Sequence, residues 1–313
     1  MIDKQYIAYK LGSYSSEYEI ALRKNIFKKM KNNENNSNIT NSQTLKNIYI
    51  DFFKELIHKQ KNKNKLILAA VELSVTEKCS LSCEKCFSLM PLYKQPENST
   101  LDNLINDFNK FMSIVDYVFE FKLVGGETFL YPEIDKLIEY IFNSPYRQKF
   151  KYMNFITNGT LKLNNELLEV LEKYNENILI TISDYGRISK RIIQDLDKHN
   201  INYIISDSPW IDFGEFTKNN FSKEELIKNY SYCFNKNSCN TIKDGKFHLC
   251  ARDAHGYKLG LKHDSYINLH DDKSIEEKKD EINKLRNVKY IPTCDYCKLF
   301  LREITERPNI DIE

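Results

Sequence analysis

Eight cysteines stand in the 313-residue chain, and they are not spread along it: three fall between Cys79 and Cys86 and five between Cys233 and Cys297. Disulfides need an oxidising compartment. The opening residues, MIDKQYIAYK, lack the apolar core of a secretory signal. The longest apolar stretch, Leu66 to Val71, is far short of the roughly 20 residues that span a bilayer. The expected location is therefore the cytoplasm, with no membrane partner, where clustered thiols bind metal rather than one another.

The rest of the chain says what carries those thiols. At 41% hydrophobic residues it can bury a sizeable core. Its 46 Lys and Arg against 44 Asp and Glu leave a net charge of +2, too small a field to point to nucleic acid as a partner. Residues 1–68 read as a helical N-terminal extension, with helical patterns at 18–30 and 45–57 joined by polar tracts rich in Asn and Lys. From residue 69 short β-rich runs (VELSVT, FEFKLV, YMNFIT, ILITIS, INYIIS) alternate with helical ones, the rhythm of βα units. Leu101, Leu104, Ile105, Phe108, Met112 and Val115 fall on one helical face, with Ser99 and Asp102 as an approximate capping box. Further helices are expected over 134–142, 166–174, 189–199 and 274–285, and a hairpin turn at Asp244-Gly245. A sixth strand within 208–232 is not legible. Sheets of this kind bind ligands at the carboxyl ends of their strands, so the residues after each run are the candidates.

After the first run comes Cys79-Ser-Leu-Ser-Cys83-Glu-Lys-Cys86. A [4Fe-4S] cluster normally takes four Cys, so three leave one iron open to a small ligand; a zinc site with a distant fourth ligand is the other reading. The spacing resembles the signature of the radical S-adenosylmethionine superfamily. That resemblance implies a [4Fe-4S] cluster that cleaves S-adenosylmethionine to a 5'-deoxyadenosyl radical. One departure is Lys85 before the third Cys, where the family usually has an aromatic residue; Phe87 follows Cys86.

Other strand ends extend the resemblance. Gly125-Gly126-Glu127 resembles the family's Gly-Gly-Glu, which implies glycines that let backbone approach the cofactor and a Glu that receives its α-ammonium. Thr157-Asn158-Gly159 resembles a Thr-Asn-Gly of relatives with a C-terminal cluster domain, near the cofactor's ribose and methionine. Ser183 is the implied partner of ribose or carboxylate, and Arg187 or Lys190 of the methionine carboxylate.

The C-terminal cysteines run Cys233-x5-Cys239, then Gly245-x4-Cys250, a gap of 43 residues, and Cys294-x2-Cys297. They resemble SPASM and shortened twitch domains, which implies one auxiliary [4Fe-4S] cluster. Five cysteines for four ligands leave one over. Cys239, Cys250, Cys294 and Cys297 are the first choice, with Cys233 as a replacement for one of the last two; a structural four-Cys zinc site suits the same pattern.

The fold implied is α/β: a partial (β/α)6 TIM-like barrel over 69–230 and a small twitch-like unit over 231–313. The implied activity is oxidoreductase-type or another radical modification, with a flavodoxin- or ferredoxin-type electron donor. A sugar, polyol or other small polar substrate is preferred to a peptide, because the N-terminal segment shows no strands of a leader-binding domain. The alternative is a zinc-stabilised α/β interaction module. Groups beside the motifs that could face substrate are Asp184, Tyr185, Trp210, Asp212, Arg252, Asp253 and His255.

Overall fold

The computed structural model describes residues 65–206, 210–231, 233, 235, 239–298 and 304–305. The expected N-terminal helices at 18–30 and 45–57 lie outside these residues. Five strands, β1 (Ile67–Thr76), β2 (Tyr117–Gly125), β3 (Phe150–Thr157), β4 (Ile178–Ser183) and β5 (Tyr203–Ser206), lie side by side in chain order and parallel. Crossovers α1 (Leu101–Ile114), α2 (Ile134–Asn143), α3 (Asn165–Lys173) and α4 (Ile193–Lys198) join them. Among the described residues of 208–232, only Trp210–Ile211 (β6) is strand. The sixth parallel strand is β7 (Asn240–Lys243), on the opposite edge, with Val71 facing Asn240 and Leu73 facing Ile242. The antiparallel β8 (Lys246–His248) and β9 (Ile267–Asn268) continue the sheet to eight strands. This mixed α/β architecture, mostly parallel, is that of a partial TIM-like barrel.

Strand alternation divides the sheet. Val71, Leu73, Phe121, Leu123, Met153, Phe155, Ile180 and Ile182 join one apolar core with Leu104, Phe108, Phe111, Leu137, Ile141 and Leu171 of the helices. Phe108, fully buried, meets Phe121 edge-on at 5.4 Å; burying such a ring stabilises the fold by about 2 to 3 kcal/mol. The intervening positions are polar. Thr241 bonds Glu72 at 3.2 Å, Lys122 lies 3.4 Å from Glu72 and 3.8 Å from Glu120, Asn154 donates to Glu120 at 2.6 Å, and Thr181 donates to Asn154 at 3.0 Å. The face away from the helices is therefore crossed by one polar row.

Local signals behave as chemistry dictates, with one shift. The N-cap of α1 is Thr100, whose hydroxyl accepts from Asn103 N–H at 3.3 Å. Ser99 is held extended by its N–H to the Val75 carbonyl, which moves the cap one residue on. The expected helix over 189–199 divides into a turn at Ile188–Lys190 and α4. Asp244 and Gly245 both have positive φ, 47° and 73°, the type I′ hairpin turn. Beyond it lie α6 (Ala251–Lys258) and α7 (Ile275–Arg286), the latter with a full capping box from Ser274 and Glu277. Between β6 and β7 lies α5 (Lys223–Ser231). No helix among the described residues is long and apolar enough to cross a membrane.

Candidate functional site

The first cysteine loop leaves the carboxyl end of β1 and is clamped by the end of β2. Gly126 N–H donates to the Thr76 carbonyl at 3.1 Å and Glu127 N–H to the Lys78 carbonyl at 2.8 Å. A Cβ on Gly125 would lie 2.6 Å from the Thr76 carbonyl oxygen, and one on Gly126 2.4 Å from that of Lys78 and 2.8 Å from Cys79 Cβ. The glycines are therefore required first by the approach of the cysteine loop itself. The Glu127 carboxylate, fully buried, is turned inward, where it accepts from Thr157 Oγ1 at 2.8 Å, Asn158 N–H at 2.7 Å and Phe129 N–H at 3.1 Å. Burial raises its pKa; those three hydrogen bonds oppose the rise.

Through Glu127 the second motif is joined to the third, and through Asn158 the third returns to the first. Asn158 Nδ2 donates to Ser80 Oγ at 2.9 Å and lies 3.8 Å from Cys79 Sγ, while Ser80 and Thr160 share a hydrogen bond of 2.7 Å. Gly159, at φ 73°, passes so close to Ser189 that a Cβ would meet its carbonyl at 2.3 Å. Ser189 in turn ties down the fourth strand end, its hydroxyl accepting from Tyr185 N–H at 2.9 Å. Asp184 accepts from Gly186 N–H at 3.0 Å, Ser183 is half-buried at the end of β4, and Arg187 is exposed on the turn. The motifs at the ends of β1, β2 and β3 thus form one hydrogen-bonded unit. Ser183 and Arg187 adjoin it through Ser189.

Burial pushes the Cys79 thiol up to about 11, with the Glu127 carboxylate adding to the rise, and burial also raises Cys83. Metal binding at these thiols therefore releases protons. Tyr185 Oη lies 3.8 Å from Cys83 Sγ and its ring meets Trp210 at 6.0 Å. Lys85, at φ 61°, reaches Asp212 at 3.0 Å, and Phe87 packs on Phe213 at 4.6 Å between ring centres. The residues that depart from the aromatic-then-Cys pattern thus fasten the loop to the 210–213 segment.

Beyond Phe87 and Phe213 lies the second cysteine group. Cys233, Cys250, Cys294 and Cys297 line one cavity with Phe87, Phe213 and Tyr230. The expected ligand Cys239 does not: its Sγ turns to Asn235 Oδ1 at 3.5 Å, and it acts electrostatically on Lys122 in the polar row. Among the described residues no three His, Cys, Asp or Glu side chains close on a single ion position; the four thiols surround a space. The turn Pro292–Tyr296, carrying Cys294 and leading into Cys297, is held by Asn229, whose Nδ2 donates to the carbonyls of Cys294 at 3.1 Å and Cys297 at 3.0 Å. Burial raises Cys250 and Cys294 well above the usual thiol range and Cys297 to about 12. Arg252, whose charge opposes that rise at Cys297, is fully buried, and among the described residues its Nε and Nη1 meet no hydrogen-bond partner. Four thiols and an uncompensated buried cation fit an anionic metal-thiolate cluster.

The remaining candidates support this wall. Asp253 accepts from His248 Nδ1 and lies 2.9 Å from His263 Nε2, with Thr293 also bonded to it. His255 is buried against Tyr93, whose hydroxyl is 2.8 Å from its Nδ1, and burial holds it neutral. Asn229, Ser189 and Phe213 were not among the residues singled out from the sequence, and none carries a local pattern that would mark it.

No family model matches the chain, and no curated protein matches it. Among solved structures it is similar to anSMEcpe with bound AdoMet, at 14% identity and a TM-score of 0.46 over 74% of this chain and 87% of that one. Against the form with AdoMet and the Cp18Cys peptide, the match spans 45% of this chain and 42% of that one, at 18% identity and a TM-score of 0.35. It is also similar to BtrN in complex with AdoMet and 2-DOIA, at 15% identity and a TM-score of 0.45 over 77% and 96%. A third is Streptococcus suis SuiB bound to the precursor peptide SuiA, at 15% identity and a TM-score of 0.40 over 80% and 74%. The cysteine, Gly-Gly-Glu and Thr-Asn-Gly motifs of this chain resemble those of the radical S-adenosylmethionine superfamily, and the solved chains it is similar to include ones with AdoMet bound.

Proposed function

We propose that this chain is a radical S-adenosylmethionine enzyme with one auxiliary [4Fe-4S] cluster, acting on a small polar substrate. The observation that carries the reading is the joint held by Glu127, which locks the Cys79–Cys86 loop, Gly125-Gly126 and Thr157-Asn158 into one constellation at the strand ends. When bound, the clusters would supply an electron that cleaves S-adenosylmethionine to methionine and a 5'-deoxyadenosyl radical, and an acceptor for an electron from the substrate radical.

The chain's own residues set the stage for that chemistry. Cys79, Cys83 and Cys86 would hold the first cluster with one iron left open. Asn158 and Ser80 fix the loop beside Cys79, and Tyr185 presents its hydroxyl to Cys83. The backbone at Gly125-Gly126, with Ser183 and Arg187, would take the ammonium, ribose and carboxylate of S-adenosylmethionine; Glu127 orients this set from behind. Cys233, Cys250, Cys294 and Cys297 would hold the second cluster. The polar row from Thr241 to Thr181 makes the face of the sheet away from the helices hydrophilic, which supports a hydroxylated or otherwise polar substrate over an apolar one. A low-potential flavodoxin or ferredoxin is the matching electron donor.

The test is anaerobic. Wild-type protein should carry about eight irons and a Cys79→Ala, Cys83→Ala, Cys86→Ala triple variant about four, and only the wild type should form 5'-deoxyadenosine with dithionite. Zinc without iron after reconstitution, and no cleavage, would overturn the reading in favour of a zinc-stabilised module.

A further inference from the structure

Arg252 is the largest fully buried side chain of the described residues. It stands second in α6, where the positive end of the helix disfavours a cation. Its Nη2 donates to the Gly214 carbonyl at 2.6 Å and the Tyr296 carbonyl at 3.2 Å, and its guanidinium lies 5.2 Å from the Phe216 ring centre. Among the described residues, Nε and Nη1 have no hydrogen-bond partner. Asp253, the next residue, is engaged by His248, His263 and Thr293.

No carboxylate among the described residues pairs with Arg252; a buried cation without a counter-charge is strongly unfavourable, so such a residue implies an anion that the fold is built to receive. Its neighbours name that anion: the carbonyl that Nη2 holds at 3.2 Å belongs to Tyr296, the residue before Cys297. Cys297 lies within its electrostatic and hydrogen-bonding reach, and Cys250, two residues before it, caps the same helix and lines the same cavity. Four thiolates around iron carry net negative charge, and one-electron reduction makes that charge more negative still.

We propose that Arg252 is the built-in counter-charge of a metal-thiolate cluster held by Cys233, Cys250, Cys294 and Cys297, and that it raises the reduction potential of that cluster. It is a positioning and tuning residue, acting through the cluster and not on substrate. The proposal rests on the auxiliary cluster reading above, and its two halves fail separately from it. The more negative state gains more from a fixed nearby cation, so removing Arg252 disfavours reduction. The apoprotein, by contrast, holds the cation uncompensated and should gain from its removal.

The experiment uses the full chain in the Cys79→Ala, Cys83→Ala, Cys86→Ala background, so that only the second site contributes signal. Arg252→Met should raise the thermal midpoint of the apoprotein and lower that of the reconstituted protein, a change of sign that loss of a merely structural side chain does not produce. In an electron paramagnetic resonance redox titration, Arg252→Met should lower the one-electron reduction equilibrium at least tenfold, about 59 mV, and Arg252→Lys should stay within that window of the parent. If the Met variant does not fold, Arg252→Gln, which keeps donors for Gly214 and Tyr296, takes its place. Equal destabilisation of both forms overturns the counter-charge; an unchanged midpoint at full iron content overturns the tuning. Zinc in place of iron overturns the cluster reading and the tuning with it, while the sign test still decides the counter-charge.

Discussion

The two cysteine groups differ in how each meets its surroundings. Cys79 and Cys86 are half-buried on a loop at the strand ends, and the groups that fix them are polar: backbone carbonyls, Ser80, Thr160, Asn158 and the Glu127 carboxylate. Cys294 and Cys297 are buried and share a cavity with Phe87, Phe213 and Tyr230, and Arg252 is bonded to the carbonyl just before Cys297. Three thiols on a polar loop, Cys79 and Cys86 half-buried and Cys83 buried, suit a metal group with a vacancy that must admit a ligand. Four thiols around an apolar cavity, Cys294 and Cys297 buried and Cys233 and Cys250 half-buried, suit a closed, fully ligated metal group.

The comparison can be broken at the ligands. Cys233→Ala should remove about four irons per chain, whereas Cys239→Ala should leave the iron content of the anaerobic protein unchanged; the reverse pattern would return Cys239 to the ligand set. At the polar site, Glu127→Ala strands three buried donors and should cost about 3 kcal/mol in denaturant unfolding, along with S-adenosylmethionine binding measured by equilibrium dialysis. Glu127→Gln, which keeps an acceptor, should cost less.

At the closed site the supporting carboxylate gives a pH signature. Burial alone would raise the Asp253 carboxyl, but hydrogen bonds and charge from His248 and His263 bring it down to about 2. A depressed folded pKa stabilises the fold above the unfolded value of about 3.9, and that contribution is lost as pH falls toward 2. Acid unfolding of the apoprotein should therefore steepen between about pH 4 and 2, on the order of 2 kcal/mol, and Asp253→Asn should flatten that limb. The smallest effect is expected where the two regions touch. Lys85→Ala removes a half-exposed ion pair with Asp212 and should cost about 1 kcal/mol or less, shrinking further in high salt.

Local chemistry was legible from the chain wherever the deciding atoms lie within a few residues. The type I′ turn at Asp244-Gly245, the helix starting at Ser274 and the five βα runs needed only propensity and spacing. The cap falls at Thr100, one residue beyond the expected Ser99, because the hydrogen bond that holds Ser99 comes from β1, more than twenty positions away. The sixth parallel strand was unreadable for the same reason. Asn240–Lys243 is too short to announce itself and is a strand of that sheet because Glu72 and its neighbours on β1 receive it.

By itself the sequence determined the inventory: three thiols at one strand end, Gly-Gly-Glu and Thr-Asn-Gly at the next two, and five thiols near the carboxyl terminus. Those are covalent facts of spacing, and spacing brings residues of one loop together without help. Only the tertiary structure decided which thiols face a common cavity, that Glu127 turns inward to join the motifs, and that Arg252 is buried with no carboxylate partner among the described residues. Each of these depends on elements far apart in sequence, placed by the register of the sheet and the packing of the core, and a side chain's direction and partners follow from that placement rather than from its neighbours in the chain.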